Sequence, residues 1–218
     1  SVRDSVPLSS KSADYGIFGD EELKSTSDGR AYGLEFLVRL KEFKNTNMVL
    51  SYTFVRSEFV GNSNTWIPSS WDNRHLLNLT ATTSFGKNWD MGFKWRFVGG
   101  APYTPYDLDR SSLKAAWDIQ GQGYLDYSRF NASRLKAFHQ LDLRIDKQYF
   151  FKGWSLMLYA DVQNVYNHKA NQPDLLLRES DSNGVPVTDP SDPAKYKLKF
   201  VESEGGTVLP TIGVIIEF

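Results

Sequence analysis

The sequence predicts an all-β fold, specifically an antiparallel transmembrane β-barrel segment of about seven or eight strands. Three observations lead to this prediction. Seven segments of about ten residues alternate apolar with polar side chains, their connections are alternately short and long, and aromatic residues concentrate at the segment ends. In such a barrel the apolar side chains face lipid and the polar ones face a wet lumen.

The fourth segment, WDMGFKWRF, shows the alternation most clearly. One face of this strand would carry Trp89, Phe93 and Trp95, and the other would carry Asp90 and Arg96. The second segment is less regular, because Arg56 and Glu58 interrupt its apolar face at one end. The predicted strands are 31–41, 48 to about 60, 74–85, 89 to about 101, 138–151, 154–167 and 207–218.

The connections assign a side of the membrane to each strand end. They comprise the short segments 42–47, 86–88 and 152–153 and the long segments 61–73, 102–137 and 168–206. Outer-membrane barrels have short periplasmic turns and long extracellular loops, so the last strand runs inward and the C-terminus is predicted to be periplasmic. Residues 1–30 are predicted to form an extracellular loop or the end of a preceding strand, and residues 31–218 the C-terminal strands of the barrel.

Aromatic side chains agree with these assignments. On the apolar parity they occur at the predicted inner ends (Phe85, Trp89, Tyr149, Phe151, Trp154, Phe218) and at the outer ends (Tyr32, Tyr103, Tyr166), as in the two girdles of a membrane barrel. The alternative is a soluble sandwich or lipocalin-like barrel with its apolar face inward. Strands of about ten residues with aromatics at their ends favour the membrane barrel.

Composition excludes several other classes of protein. The 218 residues carry a net charge of −1, without the basic excess that nucleic-acid binding requires. The absence of cysteine removes disulfides, thiolate metal sites and cysteine nucleophiles. No apolar run is long enough for a transmembrane helix. The chain starts at Ser1 without an export signal, so a membrane barrel of this sequence is expected to be a mature or excised piece.

Catalysis is not predicted, and neither a metal nor a cofactor is expected. The histidines, His75, His139 and His168, fall near outer strand ends on the lipid-facing parity, where a role at the membrane rim is favoured over a base or metal ligand. The lumen carboxylates are Asp142, Asp146 and Asp161. Because Arg144 shares their face, compensating ion pairs are favoured over an acid pair.

Ligand recognition is expected to come from aromatic residues in the long loops, where exposed rings favour contact with a partner. The candidates are Trp66, Trp71, Tyr106, Trp117, Tyr124 and Tyr127. Rings that fold back onto one another or onto the barrel rim are the structural alternative. A siderophore, cobalamin, glycan or peptide could each use such rings, and the sequence does not choose between them.

Several segments resemble a known family. TVLPTIGVIIEF is similar to the C-terminal signal recognised by the outer-membrane barrel-assembly machinery, and GRAYGLEFLVRL, WDNRHLLNLTATTSF, GGAPYTPYD and LMLYADVQNVYN resemble the closing strands of TonB-dependent receptors, particularly Bacteroidetes-type ones. The resemblance covers most of the chain from Gly29 onward. It implies a 22-stranded barrel, of which this chain would be about the last third, and an assembly signal at Val214, Ile216 and Phe218.

The expected function is therefore part of an outer-membrane receptor that imports a small-molecule or oligomeric nutrient into the periplasm. Its partners would be outer-membrane lipid, the assembly machinery and, only through an N-terminal plug that this sequence lacks, TonB. The alternatives are a small passive or adhesive outer-membrane barrel of about eight strands and a soluble ligand-binding β-protein.

Overall fold

The computed structural model describes residues 28–60 and 64–218. Strand accounts for 62% of it and helix for 8%, so the predicted all-β, antiparallel class is confirmed. Most of the predicted 1–30 segment lies outside the described residues. In chain order the strands are β1 (Gly29–Phe43), β2 (Thr46–Val60), β3 (Trp66–Pro68), β4 (Arg74–Phe85), β5 (Trp89–Val98), β6 (Pro102–Tyr103), β7 (Ser133–Arg134), β8 (Phe138–Phe151), β9 (Trp154–Gln163), β10 (Ala170–Asn171), β11 (Leu175–Arg178), β12 (Thr188–Asp189), β13 (Asp192–Tyr196), β14 (Leu198–Val201), β15 (Glu204–Gly205) and β16 (Leu209–Glu217).

Seven long strands form one antiparallel meander in the order β1-β2-β4-β5-β8-β9-β16, and the short β3 pairs with β2. Within the described part of the chain, β1 and β16 are the two edges of this sheet. The helices α1 (Leu108–Ser112) and α2 (Lys114–Gln120) both lie in a long connection. No helix among residues 28–60 and 64–218 is long and apolar enough to cross a membrane.

The strand register joins the predicted apolar positions into one continuous face. Phe93 lies opposite Ala81 on one neighbouring strand and opposite Leu143 on the other. Because residues that are directly opposite share a face, the pairs line up in rows across the sheet. The central row is Leu40, Met48, Ala81, Phe93, Leu143, Val162 and Pro210.

The other face is polar and paired by charge. Arg144 binds Asp146 on its own strand, with Nη2 at 2.7 Å from Oδ1, and its guanidinium lies 4.2 Å from the centre of the Tyr159 ring. Arg96 lies 3.8 Å from Asp142, and Gln140 donates to the same carboxylate at 2.6 Å. The predicted compensating ion pairs of this face are confirmed for Asp142 and Asp146.

The sheet has no buried apolar core of its own among the described residues. Their buried hydrophobic side chains are Phe59, Trp117 and Leu176, at the end of β2 that leads into the connection 61–73 and in the long connections. The apolar face stays open, with Leu34 64% and Ile212 85% exposed. Neither side of the sheet is covered by another layer that these residues form.

The short connections 44–45, 86–88 and 152–153 lie at one end of the sheet, called here the short-turn end. The first is tighter than predicted, because β1 extends to Phe43 through an irregularity between Leu40 and Phe43. Glu42 occupies it with a positive φ of 52°. The extra residue places Phe43 opposite Thr46, on the apolar face, which strict alternation did not predict.

Two strands end earlier than predicted. β5 stops at Val98 rather than near 101, since Gly99 and Gly100 bring the backbone against Asn73 and Leu135. β9 ends at Gln163 rather than at 167. The next residue, Asn164, takes a positive φ of 54°. Its side chain accepts from His168 N at 2.8 Å and donates to His168 O at 3.0 Å, closing a turn in place of the strand.

Gly213 of the edge strand β16 accommodates an aromatic ring from its neighbour. It lies opposite Tyr159, and a Cβ at position 213 would lie 2.2 Å from Tyr159 Cζ. The tyrosine ring thus lies over the glycine while Arg144 approaches the same ring. Arg144, Tyr159 and Gly213 form a stack on the polar face that fixes β16 against β9.

Candidate ligand-binding loops

The three long connections lie at the opposite end of the sheet, called here the long-loop end. The connection between β5 and β8 folds back on itself. Its base is closed where Pro102 pairs with Arg134 and Tyr103 with Ser133, and Tyr106 bridges to Leu125 further out. Asp107 caps α1 by accepting from Arg110 N at 2.9 Å. This loop is therefore a structured hairpin with two short helices.

The connection between β9 and β16 is an arm of three successive antiparallel ribbons, β10 with β15, β11 with β14, and β12 with β13. Leu176 on the middle ribbon is buried. A Cβ on Gly123 would lie 3.0 Å from Leu176 Cδ2 and 2.9 Å from Tyr106 Cδ1, so the arm packs tightly on the first loop at this point.

Polar contacts also join these two loops. The Tyr196 hydroxyl donates to Asp118 Oδ1 at 3.1 Å, and Arg178 Nη1 lies 3.4 Å from the same oxygen. Lys114 Nζ donates to Thr188 Oγ1 at 2.8 Å. Residues far apart in the sequence thereby hold the two longest loops together as one unit.

The third long loop, 61–73, is attached through a fully buried carboxylate. Asp72 is 0% exposed and accepts from Arg56 Nε at 3.1 Å and from Ser57 N at 2.9 Å. Arg134 binds its other oxygen and donates to its carbonyl oxygen at 2.6 Å. Arg74 lies 3.8 Å away. A buried charge is tolerated when it is paired and hydrogen-bonded, and these partners supply both.

Glu58 extends this network toward the sheet edge. It is 8% exposed, binds Arg56, and accepts from Arg30 Nε at 2.8 Å. The two residues that break the apolar alternation of β2 are therefore members of an ion-pair chain that runs from Arg30 to Arg134. That break in the alternation was the only sequence feature that pointed to this network, and Asp72 itself was missed.

The structure separates the six predicted ligand-binding aromatics into two groups. Trp117 is 3% exposed and packs inside the loop unit. Tyr124 donates to Ala116 O at 2.9 Å with Arg110 4.2 Å from its ring centre, and Tyr106 packs near Phe200 at 6.2 Å. In this conformation these three rings contact other loop residues and contribute to the packing of the loops.

The other three rings are open to solvent. Trp66 is 42%, Trp71 61% and Tyr127 63% exposed. The Arg30 guanidinium lies 4.0 Å from the centre of the Trp66 ring, and Tyr127 stacks on Phe130 at 5.8 Å. Ligand contact stays a prediction for all six residues, and these three have ring surface available for it.

The predicted rim histidines lie at the long-loop end. His75 and His139 lie opposite Phe54 and Phe97, on the apolar face. Each pairs with a tyrosine hydroxyl: Tyr52 OH lies 2.9 Å from His75 Nδ1, and Tyr166 OH lies 2.8 Å from His139 Nδ1.

His168 packs directly on His139, with ring centres 3.9 Å apart. Its Nε2 is buried without a hydrogen-bond partner. Burial, and then the neighbouring His139, lower the pKa of His168 below its ordinary value, so it is held neutral. The contact joins the first residues of β8 to the start of the connection between β9 and β16.

Two loop carboxylates, Asp126 and Asp189, cap turns at the long-loop end. Hydrogen bonds from Ser128 and Arg129 lower the pKa of Asp126, and those from Ser191 lower the pKa of Asp189. Both groups are half-buried turn caps that stay ionised near neutral pH. Across residues 28–60 and 64–218, no three His, Asp or Glu side chains converge as metal ligands.

The predicted assembly residues lie on the β16 edge strand and just beyond it. Val214 and Ile216 are 59% and 50% exposed, opposite Leu158 and Leu156 of β9, and Phe218 is fully exposed. No protein-family model matches this sequence, and no curated protein sequence matches it.

Proposed function

We propose that this chain is the C-terminal barrel portion of an outer-membrane TonB-dependent receptor that imports a nutrient into the periplasm. The observation that carries this proposal is the apolar face, which continues across seven strands and stays at least partly exposed, while the described residues bury hydrophobic side chains only at the outer end of β2 and in the loops. An open apolar surface of this extent is a liability in water. Lipid contact removes that liability.

The polar face supports the assignment of the other side of the sheet to a wet lumen. Its charges are paired along and across strands, as in Arg144 with Asp146 and Arg96 with Asp142. Such partly exposed ion pairs suit a water-filled interior. A soluble sandwich or lipocalin-like protein would instead require the apolar face to be covered.

The loops support a role in receiving a ligand. Three exposed rings, Trp66, Trp71 and Tyr127, lie on loops that Asp72 and the Asp118 contacts hold in place. Rigid support of exposed aromatic rings favours recognition of a siderophore, cobalamin, glycan or peptide. The proposal includes no chemical step and no cofactor. TonB would act through the plug of the complete receptor, and the assembly machinery through Val214, Ile216 and Phe218.

The test uses the complete protein in its own bacterium. It is expected in the outer-membrane fraction, with the slower gel migration on boiling that β-barrels show. Growth on a scarce nutrient should require the gene, and inactivation of TonB should abolish this growth as loss of the gene does. Recovery in a soluble fraction would refute the membrane assignment. Steady ion conductance in planar bilayers, with uptake independent of TonB, would identify a passive barrel instead.

A further inference from the structure

Each of the three turns at the short-turn end contains one lysine and no acidic residue. The lysines are Lys44, Lys87 and Lys152, and all three are exposed. The acidic residues close to these turns are Glu42, in the β1 irregularity, Asp90, which accepts from Ser84 on the polar face, and Glu217, which lies opposite Ser155 on the same face. Positive charge is therefore repeated around this end of the sheet.

These lysines accompany aromatic rings of the apolar face. Lys44 Nζ lies 5.5 Å from the centre of the Phe43 ring. Lys152 belongs to the turn between Phe151 and Trp154, whose rings stack at 4.2 Å. Rings beside cations at the edge of an apolar surface are characteristic of the boundary between lipid tails and headgroups.

A fourth lysine lies on the apolar face itself. Lys147 occupies the row of Trp89 and Leu158, and its Nζ reaches the short-turn end, where it donates to Lys87 O at 2.5 Å. The same ammonium lies 5.1 Å from the Trp89 ring centre and 5.3 Å from that of Tyr149. A charged head carried to the boundary on an apolar stem is the geometry by which lysine remains at a membrane surface.

The opposite end has the reverse balance of charge. The connections 61–73, 102–137 and 168–206 contain ten Lys and Arg against twelve Asp and Glu. The chain as a whole has a net charge of only −1. The excess of positive charge therefore belongs to the short-turn end and not to the chain in general.

We infer that the short-turn end binds the phosphate groups of anionic phospholipids in the membrane leaflet that surrounds it. Lys44, Lys87, Lys147 and Lys152 supply the positive charge, and Phe43, Trp89, Tyr149, Phe151 and Trp154 supply the ring surface at the level of the headgroups. The inference rests on the proposed membrane function, because it requires lipid on the apolar face. It adds the lipid class and the residues that select it.

The experiment measures lipids retained by the complete protein in detergent. Native mass spectrometry counts phosphatidylglycerol and phosphatidylcholine retained at equal concentrations. The unaltered protein should prefer phosphatidylglycerol. A lysine near an anionic surface strengthens binding by about fivefold, so the combined Lys44→Gln, Lys87→Gln and Lys152→Gln variant should lose at least about tenfold of that preference. The matched control replaces Lys136, Lys195 and Lys199 of the long loops by Gln and should keep it.

Equal retention of the two lipids by the unaltered protein would overturn the inference, and so would equal loss of preference in both variants. Migration of unboiled and boiled samples, recorded on the same preparations, tests the proposed function separately. A folded barrel that does not distinguish the two lipids rejects the lipid site alone. A protein that does not fold as a barrel rejects the proposed function.

Discussion

An arginine at the centre of the apolar face should destabilise the protein in membranes. Phe93 is the position of choice, because it lies in the central row between Ala81 and Leu143. If this row lies near the bilayer midplane, Phe93→Arg places a charge where lipid tails offer no hydrogen-bond partners.

The magnitude follows from the depth of the row. On β8, Leu143 lies four residues from His139 and four from Lys147, the nearest titratable side chains on that face. Four residues rise about 14 Å along a strand, which becomes about 10 Å of depth at a tilt of about 45°. An arginine side chain is too short to carry its charge across that depth to the membrane surface. The full destabilisation expected at the bilayer midplane, about 2–4 kcal/mol, therefore applies.

The assay is reversible unfolding of the complete protein in denaturant with lipid vesicles present, followed by tryptophan fluorescence. The control is Thr82→Arg, opposite Gly92 on the polar face, whose free energy of unfolding should change by less than about 1 kcal/mol. Leu143→Arg should repeat the Phe93→Arg result. Equal losses for the apolar-face and polar-face variants would refute the assignment of the two faces.

Four further predictions concern single positions. Gly213→Val should displace the Tyr159 ring, whose Cζ would lie 2.2 Å from the new Cβ; unchanged heat resistance of refolded protein would contradict the stack. Asp72→Asn removes the buried charge on which the half-buried Arg56 and Arg134 converge and should destabilise the loops by about 1–3 kcal/mol, seen as faster amide exchange there; unchanged protection would count against the network. His168 is held neutral in the folded state, so stability should fall as pH drops below about 6.5, its ordinary pKa. His168→Phe should flatten that dependence, and an unaltered slope would assign it to other groups. Deleting Phe218 should lower surface abundance in cells but leave detergent-refolded protein near normal heat resistance, and equal effects in both settings would argue against an assembly signal.

Period-two alternation was sufficient to locate all seven long strands and, outside the irregularity at the end of β1, the side of the sheet on which their residues lie. It is a long-range pattern, because each strand repeats it over about ten residues. The errors occurred where one residue changes the backbone direction. Glu42 and Asn164 both adopt positive φ, at 52° and 54°, and a polarity pattern contains no information on that angle.

The loop site was less predictable, because contacts between distant residues decide which rings are buried. Trp117 and Trp71 look alike in sequence, yet one is 3% and the other 61% exposed. The difference arises when the arm between β9 and β16 folds onto α2, through contacts such as Tyr196 with Asp118. Asp72 resembles an ordinary turn residue until its arginine partners come together around it.

The two edge strands of the sheet run in the same direction. β1 and β16 both start at the long-loop end and finish at the short-turn end, since seven strands alternate in direction between them. Direct closure of β1 onto β16 would therefore create a parallel seam in an otherwise antiparallel sheet. Closure with antiparallel pairs throughout requires an odd number of additional strands, and a cylinder of eight is the smallest that satisfies this parity.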